Sequence, residues 1–163
     1  MKYAIVVSSK TGNTLKLAQA AAQVLCGETI VYQGAPDEAA LAADRLIVGF
    51  WTDKGSCNEE IAAFLQKVNN KSVFLFGTAG FGMSQEYFER VLASAKHNFK
   101  GQVQLAGTFM CAGKMQPSVR KRYEQMEAGP RKEMLLQAFD AAQAHPDETD
   151  LERFQKVLRE TAW

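Results

Sequence analysis

The chain has 163 residues, of which 47% are apolar and 23% charged, with a formal net charge of +1. This length and balance allow a buried core and exclude a disordered polyelectrolyte. They leave no overall field that would favour a nucleic acid or a membrane surface.

The opening run Lys2–Val7 is too short for a secretory signal and reads as a strand. No stretch has the length of a membrane span. The three cysteines, Cys26, Cys57 and Cys111, form no CxxC or Cys/His cluster. Such a set suggests free thiols in a reducing compartment, so a cytoplasmic protein is expected.

Five short apolar runs follow one another: Tyr3–Val7, Thr29–Tyr32, Leu46–Phe50, Val73–Phe76 and Val103–Met110. Most are nearly continuous in Val, Ile, Leu and Phe, the pattern of parallel strands buried on both faces. Between them lie helical spacings: Leu15, Ala18, Ala22, Leu25; then Ile61, Phe64, Leu65, Val68; then Phe88, Val91, Leu92, Ala95. The connection from Gly34 to Asp44 is too short for a full helix. This alternation predicts an α/β fold, a doubly wound five-stranded parallel sheet with helices on both faces. After the fifth strand the pattern is helical. Pro117 suits a first helical position, Gly129-Pro130 is expected to end that helix, and His145-Pro146-Asp147 breaks the next. Residues 1–163 are expected to form a single domain with a helical C-terminal tail.

The most informative segment is Ser8-Ser9-Lys10-Thr11-Gly12-Asn13-Thr14, between the first strand and the first helix. In a doubly wound sheet, ligands bind beyond the carboxyl ends of the strands where strand order reverses, and this loop falls there. It offers hydroxyls, a glycine for close backbone approach, and unpaired amides at a helix N-terminus, all suited to an anion. Gly-Asn-Thr is also an ordinary turn and N-cap. The loop lacks Gly-Lys-Ser/Thr, which excludes a nucleotide P-loop, and it lacks GxGxxG.

Ser9-Lys10-Thr11-Gly12-Asn13-Thr14 resembles the phosphate loop of the flavodoxin family: serine or threonine, two residues, glycine, any residue, threonine. The resemblance covers roughly residues 2 to 115. Val7 departs from it, since flavodoxins usually have an aromatic residue there. Flavodoxins are a known instance of the doubly wound order 2-1-3-4-5, so that order is implied. The resemblance also implies FMN, with its phosphate on Ser9, Lys10, Thr11, Gly12, Asn13 and Thr14. The ring would lie between the loop after the third strand (Trp51, Thr52, Asp53, Lys54, Gly55) and that after the fourth (Thr78, Ala79, Gly80, Phe81, Gly82). Trp51 and Phe81 stand where the family has its stacking aromatics. Read without the resemblance, Trp51 could close the core and Gly80-Phe81-Gly82 could be a plain turn.

Gly55 would let the Lys54–Gly55 peptide turn its carbonyl toward the flavin, or would belong to an ordinary type II turn. Lys54 stands where many carriers have acidic side chains, which implies a less negative potential than theirs. Gly113 and Lys114 are placed near the same sheet edge. Cys111 reads as a small buried hydrophobe, while Cys57 has a slightly better claim to reactivity. Arg120-Lys121-Arg122 is either a solvated helix face or a steering patch for an acidic partner or carboxylate-bearing substrate. No metal is assigned to His97 or His145.

The chain is similar to compact flavodoxin-like proteins of anaerobic bacteria, one group of which accompanies bilirubin reductase. Gly-Thr-Ala-Gly-Phe-Gly and Cys-Ala-Gly-Lys-Met carry that likeness. The resemblance implies an FMN electron carrier or flavodoxin subunit of a reductase, working with a redox partner protein as a monomer or weak homodimer. A self-contained NAD(P)H-dependent FMN reductase of quinones or flavins is the alternative. A binding module that has lost the flavin is a third.

Overall fold

The computed structural model describes residues 1–81 and 84–163. In chain order the elements are β1 (Lys2–Val7), α1 (Asn13–Val24), β2 (Thr29–Gly34), a short 3-10 helix (Glu38–Ala42), β3 (Arg45–Asp53) and β4 (Ser56–Cys57). They continue with α2 (Glu59–Leu65), β5 (Lys71–Ala79), α3 (Gln85–Lys96), β6 (Val103–Ala112), α4 (Pro117–Glu124), α5 (Pro130–Ala142) and α6 (Glu148–Arg159). The strands run in the order β2-β1-β3-β5-β6, all in parallel pairs. Counting parallel strands alone, this is the expected order 2-1-3-4-5.

The expected count of five strands is corrected to six. β4 folds back on the end of β3, pairing Thr52 with Cys57 and Asp53 with Ser56. Lys54 and Gly55 join them with φ of 51° and 80°. Two left-handed residues in succession match a type I′ hairpin turn, whereas a type II turn would need only the second.

Alternation along the strands divides the core into two faces. Ala4, Val6, Leu46, Val48, Phe50 and Leu75 pack with α2 and α3. Tyr3, Ile5, Val7, Ile47, Phe74, Phe76 and Phe109 pack with α1 and α6. At the centre, Gly49 pairs with Phe76 and Phe50 with Gly77. A Cβ on Gly49 would lie 2.2 Å from the Phe76 ring, and one on Gly77 would lie 2.4 Å from the Phe50 ring. Each phenyl therefore fills the space that its neighbour's missing side chain leaves.

The apolar stripe of α1 differs from the expected one. Leu17, Ala18, Ala21 and Leu25 are buried, while Leu15 is 45% exposed. The cause is Thr14, whose hydroxyl donates to Phe50 O at 3.2 Å and lies 3.1 Å from Thr78 Oγ1. Held there, Thr14 sets the helix rotation and brings residues three, four and seven positions on against the sheet.

The C-terminal helices also depart from expectation. α4 ends at Glu124, and Pro130 opens α5 at its first turn instead of closing α4. α6 is a packed layer, not a tail. Phe154 is fully buried, with ring centroids 4.9 Å from Phe76, 5.2 Å from Phe109 and 6.0 Å from Phe74. Among the described residues no helix is long and apolar enough to cross a membrane. Phe154→Ala should lower unfolding free energy by about 3–5 kcal/mol, read as a lower urea midpoint with an unchanged m-value.

Candidate functional site

The loops that follow β1, β3, β5 and β6 meet at the C-terminal edge of the sheet. In the first, the amide groups of Gly12 and Leu15 both donate to Ser9 Oγ, at 3.1 and 3.3 Å. Gly12 has φ +89°, which turns the chain into α1 and favours glycine. Two amides at a helix N-terminus thus converge on one oxygen, that of the Ser9 hydroxyl, an arrangement that would also suit an anion's oxygen.

Asn13 is 7% exposed, and its Nδ2 donates to Lys114 O at 2.8 Å. That bond fixes which end of the amide faces the fourth loop, leaving Oδ1 buried without a partner. Among the described residues it is the only buried side-chain polar atom in this state. An unmatched acceptor of this kind invites a ligand donor. The fourth loop is pinned on its other side. Gly113 N–H donates to Ala79 O at 3.1 Å, and Lys114 N–H donates to His145 O at 2.9 Å.

These loops enclose a cavity of about 350 Å³, within the size range of small-molecule sites. Trp51 and Phe81 both line it. Trp51 is positioned by Asn58, which is 3% exposed. Asn58 Oδ1 accepts from Trp51 N–H at 3.3 Å, and Nδ2 donates to Ser8 Oγ at 2.9 Å. Lys10 Nζ lies 4.9 Å from the Trp51 ring centroid, a cation–π distance. Phe81 meets Tyr87 edge to face at 6.0 Å. The Tyr87 hydroxyl is held protonated above the usual phenol range by burial.

The structure brings Lys10, Thr11, Asn13, Trp51, Thr52, Lys54, Gly55, Thr78, Ala79, Gly80 and Phe81 to the cavity wall. It does not bring Ser9, Gly12, Thr14 or Asp53 there. Ser9 and Thr14 have hydroxyls engaged within the protein, and Asp53 sits in the β3–β4 ladder. Gly82 lies outside the described residues.

Sequence reasoning missed Asn58, Tyr87, Met115, Val119 and Tyr123. The last two share a helical face with Arg122, a spacing visible in the sequence. The basic triplet is divided in the fold. Arg120 bonds Asp140 at 3.1 and 3.2 Å and pairs with Glu124, Lys121 is exposed, and Arg122 lines the cavity. Lys10, Lys54, Lys114 and Arg122 give the wall a positive character, and no described lining residue is a carboxylate.

Cys57 and Cys111 are both buried, and desolvation pushes each thiol up, away from the reactive thiolate. His145, Asp147 and Asp150 come within 4.8 Å of one another, a carboxylate pairing the sequence spacing had not suggested. Their contacts are structural. Asp150 Oδ2 accepts from Asp147 N–H at 2.9 Å and lies 2.6 Å from His145 Nδ1, and Asp147 Oδ1 accepts from Asp150 N–H, closing a capping box on α6.

A Cβ at Gly113 would lie 2.5 Å from Asn13 Nδ2. Gly113→Ala should therefore displace Asn13 from Lys114 O and lower stability by about 1–3 kcal/mol, measured by urea unfolding.

A flavodoxin domain family profile matches residues 4–159. The flavodoxin-like domain-containing protein BilS of Clostridium symbiosum (strain WAL-14163) is 41% identical, over 97% of this chain and 94% of its own length. BilS of Clostridioides difficile (strain CD3) is 28% identical over 93% and 90%. Among solved structures, a short-chain flavodoxin associated with a bacterial microcompartment has a TM-score of 0.55 at 20% identity, covering 87% of this chain and 96% of its own. Oxidised flavodoxin 1 of Bacillus cereus has a TM-score of 0.52 at 15% identity, covering 97% and 95%. These two share the fold. With the profile spanning nearly the whole chain and a relative above 40% identity, the chain belongs to the flavodoxin family, whose members bind flavin.

Proposed function

We propose that residues 1–163 form one flavodoxin unit that holds a single FMN in this cavity and passes electrons to a redox partner protein in the cytoplasm. It acts as a carrier or as the flavodoxin subunit of a reductase. Bilirubin reductase is the partner that the resemblance of residues 77–82 and 111–115 implies. The observation that carries the reading is the Asn13 side chain, buried and anchored at one end, with an acceptor left free at the other beside a two-amide cradle.

The residues present suit the group. Thr11 supplies a neutral donor at the cavity wall with Lys10 as the nearby charge, and a phosphate that displaced the Ser9 hydroxyl would take over the Gly12 and Leu15 amides. Trp51 and Phe81 supply aromatic faces in the same cavity. When bound, FMN supplies reversible uptake of one or two electrons. The protein orients it, restricts water, and sets its potential through nearby charge. Lysines and an arginine at the wall favour the electron-rich form, opposite to a rim of carboxylates.

Titration with FMN should turn the purified protein yellow and quench free FMN fluorescence at one equivalent. Failure to take up FMN would overturn the proposal. Anaerobic bleaching by NADPH alone would reassign the chain as a self-contained reductase. Lys54→Glu should lower the two-electron midpoint potential by about 30 mV or more, equivalent to ~1.4 kcal/mol, in a redox titration.

A further inference from the structure

The cavity carries more positive charge than a flavin phosphate accounts for. Lys10, Lys54, Lys114 and Arg122 line it, and none of them takes part in an ion pair among the described residues. A phosphate monoester carries about −1.5 to −2 at neutral pH. All four residues are exposed, and roughly two of the four charges therefore keep only solvent as a partner once FMN is seated.

Lys114 and Arg122 come from the segment between β6 and α5, and that segment is built to present them. The Lys114 backbone is held on both sides, its N–H by His145 O at 2.9 Å and its carbonyl by Asn13 Nδ2 at 2.8 Å. Lys114 lines the cavity. On α4, Arg120 is clamped to Asp140 on α5. Arg122 follows two residues later, about 200° around the helix. The clamp that turns Arg120 to α5 thus turns Arg122 the opposite way. Val119, Arg122 and Tyr123 stand at i, i+3 and i+4 on one face, and all three line the cavity. No residue of α4 is buried, so this face is not committed to the core.

The geometry points to a second binding position on the α4 wall of this same cavity, taking a small planar molecule with about two negative charges beside the flavin. The inference rests on the flavin reading above. Tyr123 offers a stacking surface, and Arg122 can grip an anionic group in two-point fashion. The cations line a concavity, which suits a small molecule better than the acidic surface of a docking protein. Carboxylate, sulfonate and phosphate share the recognised chemistry.

The test uses the full chain loaded with FMN, titrated calorimetrically with anthraquinone-2,6-disulfonate and, for comparison, anthraquinone-2-sulfonate. The disulfonate should bind one per chain with FMN retained, more tightly than the monosulfonate, and more weakly as salt rises. Arg122→Gln should weaken it about tenfold, the low end of what a charge-assisted hydrogen bond contributes. Arg122→Lys should recover part of that loss. Absent binding, or equal affinity in Arg122→Gln, would overturn the inference while FMN uptake stands. Release of FMN fluorescence on adding the disulfonate would overturn it too, because the cations would then belong to the flavin's own site. No FMN uptake at the outset would overturn the flavin reading, and this one with it.

Discussion

The hydrogen bond from Asn13 to the carbonyl of Lys114 joins the first loop of the chain to the last loop of the sheet, 101 residues apart. Much of the site depends on it. It fixes the orientation of the Asn13 amide and closes the cavity between the β1 and β6 loops. It also explains Gly113, where any side chain would collide with Asn13. A buried amide of this sort is costly unless both its ends are satisfied. The protein satisfies one end and leaves Oδ1 without a protein partner, so under the proposed function binding and local stability would share one residue.

The sheet was legible because burial on both faces leaves near-continuous apolar runs, and all five expected runs lie within strands. The turn of the first loop into α1 was legible because it needs a glycine, and Gly12 has φ +89° there. What escaped notice depends on contacts distant in sequence. Leu15 looked like part of the apolar stripe of α1, but Thr14 bonds to the sheet and rotates the helix. Lys54-Gly55 reads as a generic turn until the two-residue strand beside it is seen. Tyr123 and Val119 drew no reading, because nothing in the sequence states that α4 borders the cavity. Asn58 drew no reading of its own, although its side chain joins the loop after β1 to the Trp51 backbone.

Charge is concentrated at one place in this chain. A net charge of +1 conceals an uneven distribution, since the cavity wall collects four cations and no described carboxylate. The basic triplet shows how poorly charge runs translate into surfaces. Arg120 is spent on holding α4 to α5, and only Arg122 reaches the site. Adjacent residues on a helix face different ways, so the run divides into a structural clamp and a site-facing charge.

The position of α6 has a consequence for how the polypeptide assembles. Every strand of the sheet precedes it in the chain, yet Phe154 covers Phe74, Phe76 and Phe109. During synthesis, at roughly 5–20 residues per second, the part of this side that α1 does not cover stays bare for some seconds after β6 is made. A cluster of bare phenyl rings is a target for chaperones and for association with neighbouring nascent chains. Completion of that side, rather than strand pairing, sets when the molecule becomes safe from aggregation.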